Sequence, residues 1–165
     1  MKAEFFSGAK PRLLAHRGGS LRAPENTLAA LREAYRLGMR YAEVDVRLTR
    51  DGRAVVIHDA TLDRTTDGSG RVGERTLDEI KQLDGGYRFS TDGGGTHPYR
   101  GRGVTVPSLA EVLGDGLGLK LVVEIKPAQP GAAEAVVAEV RRSGREGDLL
   151  LASADHAILE RVRRL

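Results

Sequence analysis

Short apolar runs alternate along the chain with longer segments in which apolar residues recur every three or four positions. The short runs predict β-strands and the longer segments predict α-helices. The predicted strands are 12–16, 41–48, 54–58, 119–125 and 149–152. The predicted helices are 27–37, 77–83, 107–113, 132–143 and 155–165. This alternation is typical of an α/β protein with a parallel sheet, and Asp51-Gly52 provides a turn that can connect the second and third strands directly.

The segment from residue 59 to residue 104 departs from this pattern. It holds ten of the 21 glycines, and only 77–83 within it has helical spacing. We therefore expect a long excursion over the mouth of the sheet, of the kind that is usually functional or mobile. The sequence has no internal repeat and no interdomain linker, so a single domain is expected over residues 1–165.

Charged side chains occur in pairs on two of the predicted strands. Because side chains alternate between the faces of a strand, Glu43 and Asp45 lie on one face of the second strand. A surface strand of an antiparallel sheet would show the same pattern, with its acids facing water. The fourth strand places Glu124 and Lys126 on one face in the same way. In a parallel (β/α) barrel the apolar face is covered by helices, so both charged pairs would point into the mouth, where active sites lie.

Three carboxylates, those of Glu43, Asp45 and Glu124, would converge at this rim. They would repel one another unless a cation neutralised them. All the candidate ligands are hard oxygens, which favour one divalent cation, Mg²⁺ or Ca²⁺, over zinc or copper. The chain has no cysteine, which excludes disulfides, thiolate metal sites and a cysteine nucleophile.

Two histidines are predicted at the same rim. His16 ends the first strand and His58 ends the third; either one alone would more often be structural or exposed. Beside the three acids, the pair is interpreted as the general acid and general base of a displacement at phosphorus. Arg17 and Lys126 would then bind the non-bridging phosphate oxygens.

Charge and hydropathy narrow the range of partners. The net charge is +3, which favours an anionic substrate but is too small and too dispersed to predict a nucleic-acid-binding protein. No segment is long and apolar enough to span a bilayer, and residues 1–10 lack the apolar run of a signal peptide. A soluble, cytoplasmic protein is expected.

Five motifs resemble those of the glycerophosphodiester phosphodiesterase family, which has a barrel of the phospholipase C-like phosphodiesterase type. The resemblance covers nearly the whole chain and includes a further segment, 106–113, that leads into the fourth strand. The motifs are His16-Arg17-Gly18, Pro24-Glu25-Asn26-Thr27, Glu43-Val44-Asp45-Val46, His58-Asp59 with Leu62-Asp63-Arg64-Thr65-Thr66, and Glu124-Ile125-Lys126.

This resemblance implies a (β/α) TIM-type barrel and a set of site residues. The implied metal ligands are Glu43, Asp45 and Glu124; the implied acid–base pair is His16 and His58; and the implied phosphate-binding residues are Arg17 and Lys126. The implied reaction is hydrolysis of a glycerophosphodiester to glycerol 3-phosphate and an alcohol. Attack by the glycerol 2-hydroxyl, through a cyclic phosphate, and direct attack by water both remain open. Asn26 is expected to fix the loop after the first strand by hydrogen bonds.

The family pattern continues through three further strands and helices, whereas this sequence carries about five of eight strands. We therefore expect a C-terminally truncated, incomplete barrel that is either an unstable, aggregation-prone fragment or an oligomer that pairs its open sheet edges. Its phosphodiesterase activity is expected to be far below that of a full-length enzyme. Two alternatives stay open: a related phosphodiesterase of the lysophospholipase D type, and an inactive fragment that binds a metal or a partner.

Overall fold

All five predicted strands and all five predicted helices are present in the computed structural model, which describes residues 4–6, 10–127 and 130–165. The strands are β1 Leu14–Ala15, β2 Tyr41–Leu48, β3 Ala54–Val56, β4 Lys120–Ile125 and β5 Leu149–Ala152. The α-helices are α1 Leu28–Arg36, α2 Leu77–Lys81, α3 Leu109–Leu113, α4 Ala132–Ser143 and α5 His156–Arg164. β1 is shorter than predicted at both ends: Arg12 and Leu13 precede it, and a 3₁₀ turn begins at His16.

The strands form one sheet in the order β1-β2-β4-β5, and these four are parallel. The α/β class with a five-stranded sheet is confirmed. β3 differs from the predicted parallel set, since it pairs antiparallel with the end of β2. The connection from residue 49 to residue 53 is too short for the crossover that a parallel neighbour needs, which takes about a dozen residues.

The two edges of β2 are used differently. Tyr41 pairs with both β1 and β4, so these strands lie on opposite edges of β2. Val46 pairs with both β3 and β4, so β3 lies on the same edge as β1, further along the strand. The loop after β1 and the loop after β3 therefore emerge along the same edge of β2.

One face of the sheet is covered by helices. Val44 and Val46 of β2, together with Val123 and Ile125 of β4, are fully buried against α1, α3 and α4, with α5 packed at the margin. The alternation predicted from the sequence is thus observed: the apolar face lies under helices and the acidic face points away from them. This is the arrangement of one sector of a (β/α) barrel.

Side-chain caps begin α1, α2 and α3 at the positions where the sequence predicts helices. The Thr27 hydroxyl accepts a hydrogen bond from the Ala30 N–H at 3.2 Å and begins α1. Thr76 and Ser108 each form a capping box, with Glu79 at the start of α2 and Glu111 at the start of α3. Each pair satisfies backbone N–H groups that have no partner within the helix.

Segment 59–104 is more structured than the expected loop excursion. It contains a 3₁₀ turn at Val72–Glu74 as well as α2. A second apolar cluster packs it onto the end of β3; its buried members are Val55, Ile57, Leu62, Val72, Ile80 and Val106. None of the helices in the described part of the chain is both long and apolar enough to cross a membrane.

Candidate metal centre and active site

The three predicted acids lie together on the face of the sheet opposite to α1, α3 and α4. Glu43 and Asp45 project from β2, and Glu124 projects from β4, where it is the register partner of Asp45. One carboxylate oxygen of each lies within 4.8 Å of the others. Parallel strands in register bring the three side chains to one place, so the cluster follows directly from the alternation along β2 and β4.

Glu43 lies in the least favourable environment for a negative charge. Its Oε2 accepts a hydrogen bond from the backbone N–H of Arg17 at 2.8 Å. Its Oε1 is buried and has no hydrogen-bond partner among the described residues. Burial raises the pKa of Glu43 to about 7. The hydrogen bond from the Arg17 backbone lowers the pKa, whereas the neighbouring negative charges of Asp45 and Glu124 raise it further. A divalent cation fits this site, because it would satisfy the free oxygen and stabilise all three carboxylates.

Asp45 is held in place by two polar partners. The Asn26 amide donates to Oδ2 at 2.8 Å, while the Asp45 N–H donates to the Asn26 carbonyl oxygen at 3.1 Å. Lys126 Nζ lies 2.6 Å from the other oxygen, Oδ1. Burial opposes ionisation of Asp45, but the hydrogen bonds from Lys126 and Asn26 outweigh it, so the pKa is lowered. The sequence predicts only that Asn26 fixes the loop after β1. The structure shows that Asn26 also orients Asp45, a candidate metal ligand.

Both cations predicted at the phosphate lie beside the acids. The buried Lys126 Nζ is 2.8 Å from Glu124 Oε1, besides its contact with Asp45. Arg17 Nε is 3.6 Å from Asp45 Oδ2, and Arg17 Nη1 donates to Glu25 at 3.1 Å. The guanidinium and the ammonium therefore reach the same space above the carboxylates from different elements.

The two predicted histidines are placed near different acids. His16 Nε2 is 3.8 Å from Glu43 Oε2, and its side chain is 68% exposed. His58 follows β3, where the Ile57 N–H donates to the Asp45 carbonyl at 2.9 Å. His58 Nδ1 lies 2.7 Å from Asp59 Oδ1. Their assignment as the acid–base pair stays a prediction.

Sequence reasoning missed a group of ion-paired residues next to His58. Arg64 binds both Asp59 and Glu25 through its guanidinium, with N–O distances of 2.6 and 2.7 Å. The signal was present, because all three residues lie in the motifs that carry the family resemblance. Their pairing could not be deduced, since Glu25 and Arg64 are 39 residues apart.

The sequence of this chain matches known phosphodiesterases along nearly its full length. The family model "Glycerophosphoryl diester phosphodiesterase family" matches residues 16–165. A glycerophosphodiester phosphodiesterase from Caldanaerobacter subterraneus is 39% identical over 162 residues, covering 94% of this chain and 63% of that protein. The corresponding Bacillus subtilis protein is 31% identical and is covered over 59% of its length.

Solved structures give the same result. A glycerophosphoryl diester phosphodiesterase domain from Mycobacterium tuberculosis superposes with a TM-score of 0.86 at 29% identity, covering 94% of this chain and 57% of that one. A phosphodiesterase from Oleispira antarctica, solved in complex with the product sn-glycerol-3-phosphate, superposes with a TM-score of 0.82 at 34% identity, covering 94% of this chain and 62% of that one. The chain thus spans about three fifths of the length of these relatives. The family match and the shared fold together show that this chain belongs to the glycerophosphoryl diester phosphodiesterase family.

Proposed function

We propose that this chain carries the site for metal-dependent hydrolysis of glycerophosphodiesters to glycerol 3-phosphate and an alcohol. The observation that carries the proposal is the cluster of Glu43, Asp45 and Glu124, whose oxygens lie within 4.8 Å of one another. His16, Arg17 and Lys126 lie close to the acids of this cluster, and His58 follows β3 beside β2, which supports the proposal. The product bound to the Oleispira relative supports glycerol 3-phosphate as the phosphate-containing product.

The three acids would hold one Mg²⁺ or Ca²⁺ ion. All three offer hard carboxylate oxygens, and a cation would also satisfy Oε1 of Glu43, which has no hydrogen-bond partner in the described part of the chain. When bound, the ion would supply positive charge beside the phosphodiester oxygens. This would stabilise the negative charge that develops on them in the transition state.

Arg17 and Lys126 would bind the phosphate group of the substrate. Both are already positioned by carboxylates, Arg17 by Glu25 and Lys126 by Asp45 and Glu124. A side chain that is fixed before the substrate arrives loses less conformational freedom on binding. Arg17 would donate hydrogen bonds to the phosphate oxygens from its planar guanidinium, and Lys126 would attract them through the single positive charge of its ammonium group.

His16 and His58 would move the protons of the reaction. One imidazole accepts the proton of the attacking hydroxyl, from the glycerol 2-position or from water, and the other donates a proton to the leaving alcohol oxygen. Their placement beside Glu43 and beside the Asp45 segment supports a role at opposite ends of the reacting phosphorus.

Metal binding tests the acid cluster directly. The variant Glu124→Gln keeps the shape of the side chain but removes its charge, and Glu160→Gln makes the same change at an exposed position on α5. We expect Glu124→Gln to weaken Ca²⁺ or Mg²⁺ binding, measured by calorimetry, by at least ~10-fold. Equal metal affinity in the two variants would remove Glu124 from the site.

Product release tests the reaction. The 165-residue chain should release glycerol 3-phosphate from glycerophosphocholine in the presence of the metal, and a chelator should stop this release. His58→Ala should lower kcat by about 100-fold or more, whereas the matched change His156→Ala, at an exposed position on α5, should not. Faster turnover of lysophosphatidylcholine than of glycerophosphocholine would favour the lysophospholipase D-type activity instead.

A further inference from the structure

We propose that Asp59 is a positioning residue that fixes the tautomer and orientation of His58, so that Nδ1 carries the ring proton and Nε2 is free to accept one. This inference deepens the proposed function, since it assumes that His58 is the proton-transfer residue assigned above. His58 Nδ1 lies 2.7 Å from Asp59 Oδ1. An ionised carboxylate can only accept hydrogen bonds, so the neutral ring must present its N–H to Asp59 from Nδ1.

Arg64 keeps Asp59 ionised and fixes the orientation of its carboxylate. Its Nε donates to Oδ2 at 2.6 Å, and its Nη2 donates to Oδ1 at 3.2 Å. The hydrogen bond from Arg64, with a smaller contribution from His58, lowers the pKa of Asp59 to about 2. Asp59 is therefore a carboxylate throughout the pH range in which an imidazole works as an acid or a base.

Glu25 holds Arg64 from the other side. It accepts from Arg64 Nη1 at 2.8 Å and from Nη2 at 2.7 Å, and also from Arg17 Nη1 at 3.1 Å. Alternating charges thus connect His58 through Asp59, Arg64 and Glu25 to the arginine assigned to the phosphate. This chain of contacts fixes His58 relative to Arg17.

The exposure of these groups indicates orientation rather than stability as the role of the network. The side chains of His58, Asp59 and Arg64 are 31%, 28% and 47% exposed, and ion pairs at such positions contribute little to folding free energy. Two carboxylates that engage the planar guanidinium nevertheless fix direction, because each N–H of the fork points at a different oxygen.

The tautomer can be read from two-bond ¹H–¹⁵N correlation spectra of protein with ¹⁵N-labelled histidine rings. In the wild-type chain we expect neutral His58 to be protonated at Nδ1. In Asp59→Asn the single oxygen of the amide should turn toward Arg64 and the NH₂ toward His58, which reverses the ring to the Nε2–H tautomer. His97 is an internal reference in both spectra, because its Nδ1 lies 3.1 Å from the Phe89 carbonyl, which can only accept.

Two outcomes would overturn the proposal: neutral His58 protonated at Nε2 in the wild-type chain, or an unchanged Nδ1–H signal in Asp59→Asn. If Asp59→Asn does not fold, Arg64→Lys replaces it. This variant keeps the charge but loses the fork, and it should increase the Nε2–H fraction of His58; no increase would count against the proposal.

The tautomer spectra need neither metal nor substrate, so they judge Asp59 separately from the proposed reaction. An inactive chain would count against the proposed function, while the spectra would still decide the role of Asp59. In an active preparation Asp59→Asn should lower kcat by about 10-fold or more with KM and metal affinity unchanged. A loss of metal affinity equal to the loss of kcat would show a structural effect and contradict the positioning role.

Discussion

At the scale of single residues, Glu43 and Asp45 show how different surroundings shift the pKa values of two acids on one strand face in opposite directions. Both are buried, and burial disfavours both charges. Asp45 has an ion pair with Lys126 and a hydrogen bond from Asn26, and its pKa is lowered. Glu43 has one buried oxygen with no hydrogen-bond partner among the described residues, and its pKa is raised. Among the described residues, the site therefore supplies a cation to Asp45 but no hydrogen-bond partner to Oε1 of Glu43.

Asn26 should be important for metal binding although it is not a proposed ligand. Asn26→Ala removes both hydrogen bonds to Asp45 and places alanine at φ 59, which asparagine tolerates better. We expect metal affinity to fall by about 10- to 100-fold and the free energy of unfolding to fall by about 1–3 kcal/mol. Calorimetric metal titration and urea denaturation measure the two effects. Wild-type metal affinity in Asn26→Ala would contradict the orienting role.

Asp59 should also leave a signature in the pH dependence of stability, although the exposure of its ion pair with Arg64 keeps this contribution small. Its folded-state pKa is lowered from 3.8 to about 2, so its contribution is present above pH ~4 and is lost as the pH falls from ~4 toward ~2. The difference in urea midpoint between wild type and Asp59→Asn should be largest near pH 5 and should shrink toward pH 3. Asp78→Asn removes an exposed carboxylate from α2 and is the matched control. A difference that grows on acidification would reverse the sign and contradict the ion pair with Arg64.

At the scale of elements, β2 organises the molecule. It pairs with β1, β3 and β4 and carries two of the three clustered acids on one face and two fully buried valines on the other. A strand that is covered by helices on one face and carries a charged cluster on the other cannot shift by one residue without exchanging the faces. The position of the acids is thus secured by the packing of the apolar face.

The two capping boxes allow a paired comparison of helix starts. Ser108 is buried at the start of α3, whereas Thr76 is partly exposed at the start of α2. Ser108→Ala should cost about 1–2 kcal/mol of unfolding free energy and Thr76→Ala about 0.5–1 kcal/mol, because a buried N–H without a partner cannot turn to water. Chemical denaturation of both variants measures the difference. Equal costs would show that burial of the cap is unimportant.

At the scale of the whole molecule, the sheet has two open edges among the described residues, on β1 and on β5. An apolar groove of about 520 Å³ runs between β1, the following turn and α1. Leu21 and Leu37 line it and are 87% and 49% exposed. Each exposed leucine forgoes roughly 1.5–3 kcal/mol of burial, so a second copy that covers the groove would be stabilised.

The 165-residue chain by itself should therefore self-associate as its concentration rises. Leu21→Lys and Leu37→Lys place a charge in the groove and should lower the apparent mass measured by light scattering. Thr91→Lys adds the same charge at an exposed position outside the groove and should leave self-association unchanged. A wild-type chain that remains monomeric up to high concentration would contradict the prediction.

Much of the fold followed from local patterns. The bounds of α4 and β5 match the predicted ranges residue for residue, and the convergence of Glu43, Asp45 and Glu124 followed from the period of two along β2 and β4. The direction of β3 was only partly determined: the short turn at Asp51-Gly52 allowed an antiparallel pair, but the pattern of strands favoured a parallel one. Segment 59–104 lacked a clear period, so its apolar cluster could not be predicted.

The sequence by itself determined the order of the elements, the faces of the strands and the helix caps, because each depends on residues within a few positions of one another. Only the tertiary structure decided which side chains of the loops meet the clustered acids and one another. The contact of Asn26 with Asp45 spans 19 residues, and that of Arg64 with Glu25 spans 39. No local period encodes such pairs, since their geometry arises when packing of the apolar faces brings separate loops to the same edge of β2.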